Sequence, residues 1–215
     1  MTAPVQFYFD YLSPYAFLAY EPVKKLCARL GVDFEPRPIL LAGLLNHYGH
    51  KGPAEIPPKA RFVFLDCARR AKAAGVEFRC PEYHPFRPLT ALRASLPEVA
   101  GELQHDVIAA LFQFGWQQGG DLGDDDQIAA ALRSAGLDPE LVAKTKQPNI
   151  KALLKERSEE ARDAGVFGVP TTVVGGELYW GYDQLPFIEH ALTTGDTISE
   201  QEILAMMPKG SRAIR

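Results

Sequence analysis

The chain has 215 residues, 47% of them hydrophobic and 23% charged, which is enough length to bury a core as one elaborated domain or two interleaved ones and excludes disordered and fibrous classes. Its 23 Lys and Arg are scattered against 27 Asp and Glu, for a formal net charge of -4, so no basic footprint for nucleic acid forms. No apolar run approaches the roughly 20 residues a membrane helix needs.

Val5, Phe7 and Phe9 alternate with Gln6, Tyr8 and Asp10, which predicts a strand entered within a few residues of Met1. The opening residues carry no charged, apolar and cleavable signal pattern, so a cytoplasmic location is expected. Ser13 and Pro14 supply an N-cap and first-turn proline for a helix that Gly31 ends, with Pro22 expected to kink it. Val32 to Ile39 predicts a second strand, broken late by Pro36 and Pro38. Strand, helix and strand in this span make a βαβ unit, so the two strands should be parallel.

From Leu41 to about Ala164 the pattern is helical. Helices are predicted over Lys59–Ala74, closed by Gly75, over Leu89–Leu96, Glu102–Trp116 and Gln127–Ser134, and over a short stretch opened by Asp138 and Pro139. Asn149 is expected to cap a last one that closes at Gly165. Thr171–Val174, a Gly175-Gly176 turn and Leu178–Trp180 then predict a hairpin, and Asp183 a helix cap, with one further helix around Glu200–Met206. The two halves share a sheet only if the helical block is an insertion. The expected fold is therefore α/β, a thioredoxin-like βαβ…ββα sheet with a large all-helical insertion. Residues 1–41 and 165–215 would form the discontinuous sheet domain and residues 42–164 the helical one.

Three stretches can carry chemistry. In Phe9-Asp10-Tyr11-Leu12-Ser13-Pro14-Tyr15 a strand end passes into a helix N-terminus, where free amides and the helix dipole stabilise an anion such as a thiolate. Ser13 and Ala16 cannot form a disulfide, so Ser13 is either an ordinary cap or a donor to another molecule's sulfur. In Phe167-Gly168-Val169-Pro170 a proline enters a strand, either in trans as a strand start or in cis, with Val169 offering its backbone to an extended peptide. In Trp180-Gly181-Tyr182-Asp183 the carboxylate either caps the last helix or holds the charged end of a small peptide. His47 and His50, in a predicted loop, lack a third ligand for a metal, and His84, His105 and His190 read as isolated. Cys27, Cys67 and Cys80 are odd in number, widely spaced and without a CxxC pair, which fits a reducing compartment.

Taken together, Phe7-Tyr8-Phe9-Asp10 with Leu12-Ser13-Pro14-Tyr15, Phe167-Gly168-Val169-Pro170 and Trp180-Gly181-Tyr182-Asp183 resemble the 2-hydroxychromene-2-carboxylate isomerase family, which belongs with kappa-class glutathione transferases and the DsbA-like thioredoxin group. The resemblance extends to Arg37-Pro38-Ile39-Leu40-Leu41 and Pro57-Pro58-Lys59. It implies glutathione as cofactor, with Ser13 at its sulfur, Lys59 near a carboxylate, Val169 and Pro170 along its backbone, Asp183 at the γ-glutamyl end, and Tyr15, His50 and Gln184 also among the residues that bind it. It further implies a small aromatic or unsaturated carboxylate as substrate, isomerised by reversible thiolate addition in aromatic catabolism, with Arg87 as its carboxylate partner, and a homodimer. Two positions depart from the family's pattern. His50 stands where asparagine is usual and Gln184 where arginine is usual, and the second change is expected to weaken the hold on glutathione. A transferase conjugating electrophiles at the same Ser13, and a non-catalytic peptide- or thiol-binding module, are the alternatives.

Overall fold

The computed structural model describes residues 3–208 and residue 210. β1 (Val5–Phe9), α1 (Pro14–Leu30) and β2 (Phe34–Pro38) come first. Eight α-helices follow: α2 (Leu41–Tyr48), α3 (Pro57–Ala74), α4 (Leu89–Ala94), α5 (Pro97–Ala100), α6 (Gln104–Trp116), α7 (Asp125–Ser134), α8 (Leu141–Lys144) and α9 (Pro148–Asp163). β3 (Thr171–Val174), β4 (Glu177–Trp180), α10 (Leu185–Thr194) and α11 (Glu200–Met206) complete the chain.

The four strands make one sheet in the order β2-β1-β3-β4. β1 and β2 are parallel, with Phe7 opposite Pro36 and Phe9 opposite Pro38, while β1–β3 and β3–β4 are antiparallel. This mixed sheet, split by helices between β2 and β3, is the α/β thioredoxin-like plan. Pro36 lies inside β2, while the strand ends at Pro38, the second of the two prolines expected to break it. β2 is an edge strand, where a residue without an N–H leaves no ladder partner unsatisfied.

The period-two alternation of β1 sorts its side chains to two faces. Phe7 and Phe9 enter the larger core with Phe17 and Tyr20 of α1 and with Phe112 and Trp116 of α6. Phe112 is its hub, with ring centroids 4.7 Å from Tyr11, 5.4 Å from Phe9 and 5.7 Å from Tyr20. Each such aromatic pair contributes about 0.5–1.5 kcal/mol beyond burial, so the helical segment and the sheet share one core. Tyr8 faces the other side, where Ile39, Leu44, Ala161 and Val166 close a smaller cluster.

Helix ends obey local rules with some differences from the sequence expectation. Ser13 caps α1 and Gly31 closes it in the left-handed conformation, at φ 67°, with Pro22 accommodated inside the helix. Asp124 caps α7 two residues earlier than expected, accepting from Asp126 and Gln127 N–H. α9 starts at Pro148 after Gln147, so Asn149 is its second residue and not its cap. His47 belongs to α2, which Gly49 closes, and not to a loop.

Candidate active site

The turn from β1 into α1 is held from four directions. Asp10 is fully buried, and its two carboxylate oxygens accept from Leu12 N–H at 3.0 Å and from Leu41 N–H, in the first turn of α2, at 2.9 Å. Burial dominates over these hydrogen bonds and pushes the Asp10 carboxyl up to about 6. Trp116 Nε1 donates to Tyr11 O at 2.9 Å, and the Tyr11 hydroxyl meets Ser95 Oγ at 2.6 Å. His84 Nε2 lies 2.9 Å from Leu12 O. Since a carbonyl only accepts, His84 carries its proton on Nε2. Its Nδ1 is buried without a partner among the described residues, and burial pulls its pKa down, which favours the neutral ring.

Ser13 stands at the end of this turn, 7% exposed. Its Oγ accepts Ala16 N–H at 3.1 Å and donates to Val169 O at 3.3 Å. The cap and the contact with the cis-proline loop are thus made by one hydroxyl. The Val169-Pro170 peptide is cis, the second of the two conformations open to it on sequence grounds. Among the described residues nothing accepts from the half-buried Val169 N–H. Pro170 O accepts Gly181 N–H at 2.9 Å, which ties this loop to the residues after β4. Phe167 and Trp180 form an exposed aromatic pair, 5.0 Å between centroids, beside it. A Cβ at Gly168 would sit 2.7 Å from Trp180 Nε1, so a side chain there would push the exposed indole aside.

On the other side of α1 the Tyr15 hydroxyl donates to Asp66 Oδ2 at 2.8 Å, and Arg70 Nε donates to the same oxygen at 2.6 Å. Arg70 and Tyr15 together hold the Asp66 carboxyl below its ordinary range, against the effect of burial. The Arg70 guanidinium lies 5.9 Å from the Tyr15 ring and 5.3 Å from the Tyr182 ring, and Asp183 is close enough to favour its charged form. No described residue takes a hydrogen bond from its Nη atoms. Asp183 itself is exposed, in a single 3-10 turn (Tyr182–Gln184), and folds back so that a Cβ on Gly181 would meet its Oδ1 at 2.6 Å. It does not cap α10. That position falls to the half-buried Gln184, which makes no side-chain cap bond.

These features coincide with a recognisable set of relatives. A family model described as DSBA-like thioredoxin domain matches residues 4–193. The chain belongs to that family. It is 28% identical over 195 residues to a 2-hydroxychromene-2-carboxylate isomerase of Sphingobium xenophagum, covering 89% of this chain and 99% of the relative. It is 27% identical over 207 residues to glutathione S-transferase kappa 1 of Homo sapiens, covering 87% and 90%. Among solved structures, a 2-hydroxychromene-2-carboxylate isomerase superposes with a TM-score of 0.80 at 24% identity, over 88% of this chain and 94% of that one, which shows the fold.

Within this DSBA-like domain the structure gathers some expected residues and not others. Ser13, Val169 and Pro170 meet at one point, and Tyr15 is linked through Asp66 and Arg70 to Tyr182 and Asp183. Lys59 lies exposed in the first turn of α3, and His50 is exposed just past the end of α2, with no described hydrogen bond from either side chain. Arg87 is exposed before α4, close to Asp125 of α7 and Arg93 of α4, and has no hydrogen bond to Ser13 among the described residues. Asp66 and Arg70 carry no sequence signal of a site, and Tyr182 lies inside the third chemistry-bearing stretch without a role of its own there. Asp66 and Arg70 read as an ordinary i, i+4 surface pair on a helix, and only the packing of α3 on α1 brings them beside Asp183.

Proposed function

We propose that the protein is a glutathione-dependent isomerase of aromatic or unsaturated carboxylates, of the 2-hydroxychromene-2-carboxylate isomerase type. The observation that carries this reading is the Ser13 hydroxyl, fixed at the start of a 17-residue helix and facing the Val169 carbonyl of the cis-proline loop. With Ser13 and Ala16 where dithiol exchange would need two cysteines, the chain has no redox pair of its own at this point. Bound glutathione supplies a thiolate that adds reversibly to a conjugated double bond, lets the resulting single bond rotate, and leaves again unchanged.

The residues present fit such a tripeptide. Ser13 redirects its proton from the long 3.3 Å contact with Val169 O to the sulfur while Oγ goes on accepting Ala16 N–H. That hydrogen bond and the helix N-terminus favour the ionised thiol. Val169 offers an unpaired N–H and a carbonyl to extended backbone. Asp183 and Arg70, of opposite charge and adjacent, suit the ammonium and carboxylate of an amino-acid end, so Arg70 stands in for the cation missing at Gln184. Lys59 and His50 supply donors toward the other carboxylate.

The test is conversion of 2-hydroxychromene-2-carboxylate with and without glutathione, followed spectroscopically with a count of free thiol. Thiol-dependent isomerisation with glutathione returned is the expected result, and Ser13→Ala is expected to lower the rate about 10²-fold. Absence of both conversion and calorimetric glutathione binding overturns the proposal. The near-equal similarity to the human kappa transferase supports a second reading, conjugation at the same Ser13. Consumption of one thiol per product would select it.

A further inference from the structure

A cavity of about 370 Å³ lies between α2, α4 and α9, and none of the residues placed at the glutathione groove lines it. Its floor is apolar, with Leu44 and Leu154 buried. Its walls carry four cations, Arg93, Lys151, Lys155 and Arg162, against one carboxylate, Glu159. This excess sits in a chain whose net charge is -4. Glu159 is engaged by Lys155 at 3.7 Å, and Arg162 pairs with its neighbour Asp163 at 2.7 Å. Lys151 and Arg93 have no ion pair among the described residues.

Arg93 is the telling residue. Its Nε is buried without a hydrogen-bond partner, and no other hydrogen bond from its side chain occurs among the described residues. That nitrogen has no open surface of its own, but the side chain is only half-buried and lines the cavity, so its Nη donors, also unpaired among the described residues, are the ones an acceptor in the cavity meets. Ser158, the hydroxyl lining the same cavity, is spent, since its Oγ donates to Leu154 O at 2.7 Å and accepts Leu40 N–H at 2.9 Å. Burial disfavours the Arg93 cation, and the like charge of nearby Arg87 adds to this. A planar anion is the group a guanidinium fork matches best, and a Leu-lined floor of this size takes an apolar body behind it.

We propose that this cavity binds a small organic carboxylate with an apolar body, its carboxylate on Arg93 and its body against Leu44 and Leu154, with Lys151 and Lys155 at the mouth. The site is independent of the glutathione reading and stands or falls without it.

Calorimetric titration of 2-naphthoate into the full chain tests the assignment, with 2-naphthamide as the uncharged control. Saturable naphthoate binding is expected, weakened about 10-fold or more by Arg93→Gln and by loss of the charge on the probe. The exposed pair Lys151→Glu with Lys155→Glu leaves the floor untouched and is expected to weaken binding several-fold, more at low than at high salt. Binding to Ser13→Ala should equal that to wild type, and saturating glutathione should not compete. If Arg93→Gln fails to fold by circular dichroism, the lysine pair and the naphthamide control decide. No saturable binding, equal binding of acid and amide, or loss of binding in Ser13→Ala with retention in the Arg93 and lysine variants overturns the proposal.

Discussion

Replacing Asp10 by Asn separates the two effects of that buried carboxylate on stability. Folding raises its pKa from an ordinary 3.8 to about 6, a gap equivalent to about 3 kcal/mol at ~1.36 kcal/mol per pH unit. Below the lower value both folded and unfolded chains are protonated, and no penalty exists. As the pH climbs toward the upper value the unfolded chain releases its proton first, so stability falls, and above it the full loss of about 3 kcal/mol is in place. Asn never ionises and so abolishes this slope, but its amide accepts only one of the Leu12 and Leu41 N–H groups, leaving the other unsatisfied at a cost of ~1–3 kcal/mol. The variant should therefore be less stable than wild type near pH 4 and approach or exceed it near pH 7. Urea unfolding followed by tryptophan fluorescence, with Trp116 buried, measures both curves. Their difference isolates Asp10 from the other carboxylates. Curves that run parallel to within about 0.5 kcal/mol from pH 4 to 7 would refute the burial argument.

Trp116→Phe leaves the buried Tyr11 carbonyl without its donor and should cost ~1–3 kcal/mol, read as a lower denaturant midpoint at unchanged m-value. Burial pushes the Cys27 thiol up to about 11 and the Cys67 thiol to about 12, whereas Cys80 is exposed. An aromatic disulfide reagent near pH 8 should then titrate one thiol fast in the native protein and the other two only on unfolding. Arg70→Met removes the cation beside Asp183 from a pair that is only partly buried, so stability should change by under ~1 kcal/mol while glutathione affinity drops about 10-fold by calorimetry.

The parts of this molecule that were legible in its sequence are those decided within a few residues. The alternation of β1, the Ser13-Pro14 start and Gly31 stop of α1, and the Gly175-Gly176 turn each act through local backbone chemistry and stand where the pattern puts them. What was not legible depends on contacts between distant segments. Asp10 ends an alternating strand and reads as a solvent position, yet α2 packs over it and makes it fully buried. Asp183 reads as a helix cap, but the turn at Gly181, with φ 114°, sends the chain into a 3-10 turn before α10 begins, which moves the cap position to Gln184. Arg70 and Arg93 are both ordinary helix arginines in sequence. One meets Tyr182 because α3 packs on α1, and the other, half-buried, lines the cavity between α2, α4 and α9.

The same contrast divides the candidate site. At the end where the sulfur is proposed to sit, the turn carrying Ser13 is tied by Asp10, Trp116, His84 and the Tyr11–Ser95 contact, all buried or half-buried, so the hydroxyl is placed before any ligand arrives. A group aimed in advance needs no reorganisation during reaction, which is where electrostatic stabilisation has its largest effect on rate. At the other end, Asp183, Lys59 and His50 are exposed, and Arg70 keeps free donors. Contacts of that kind hold substrate and transition state alike. Substitutions among the buried ties should therefore lower kcat through a misplaced Ser13, whereas those among the exposed groups should raise KM for glutathione with kcat nearly kept.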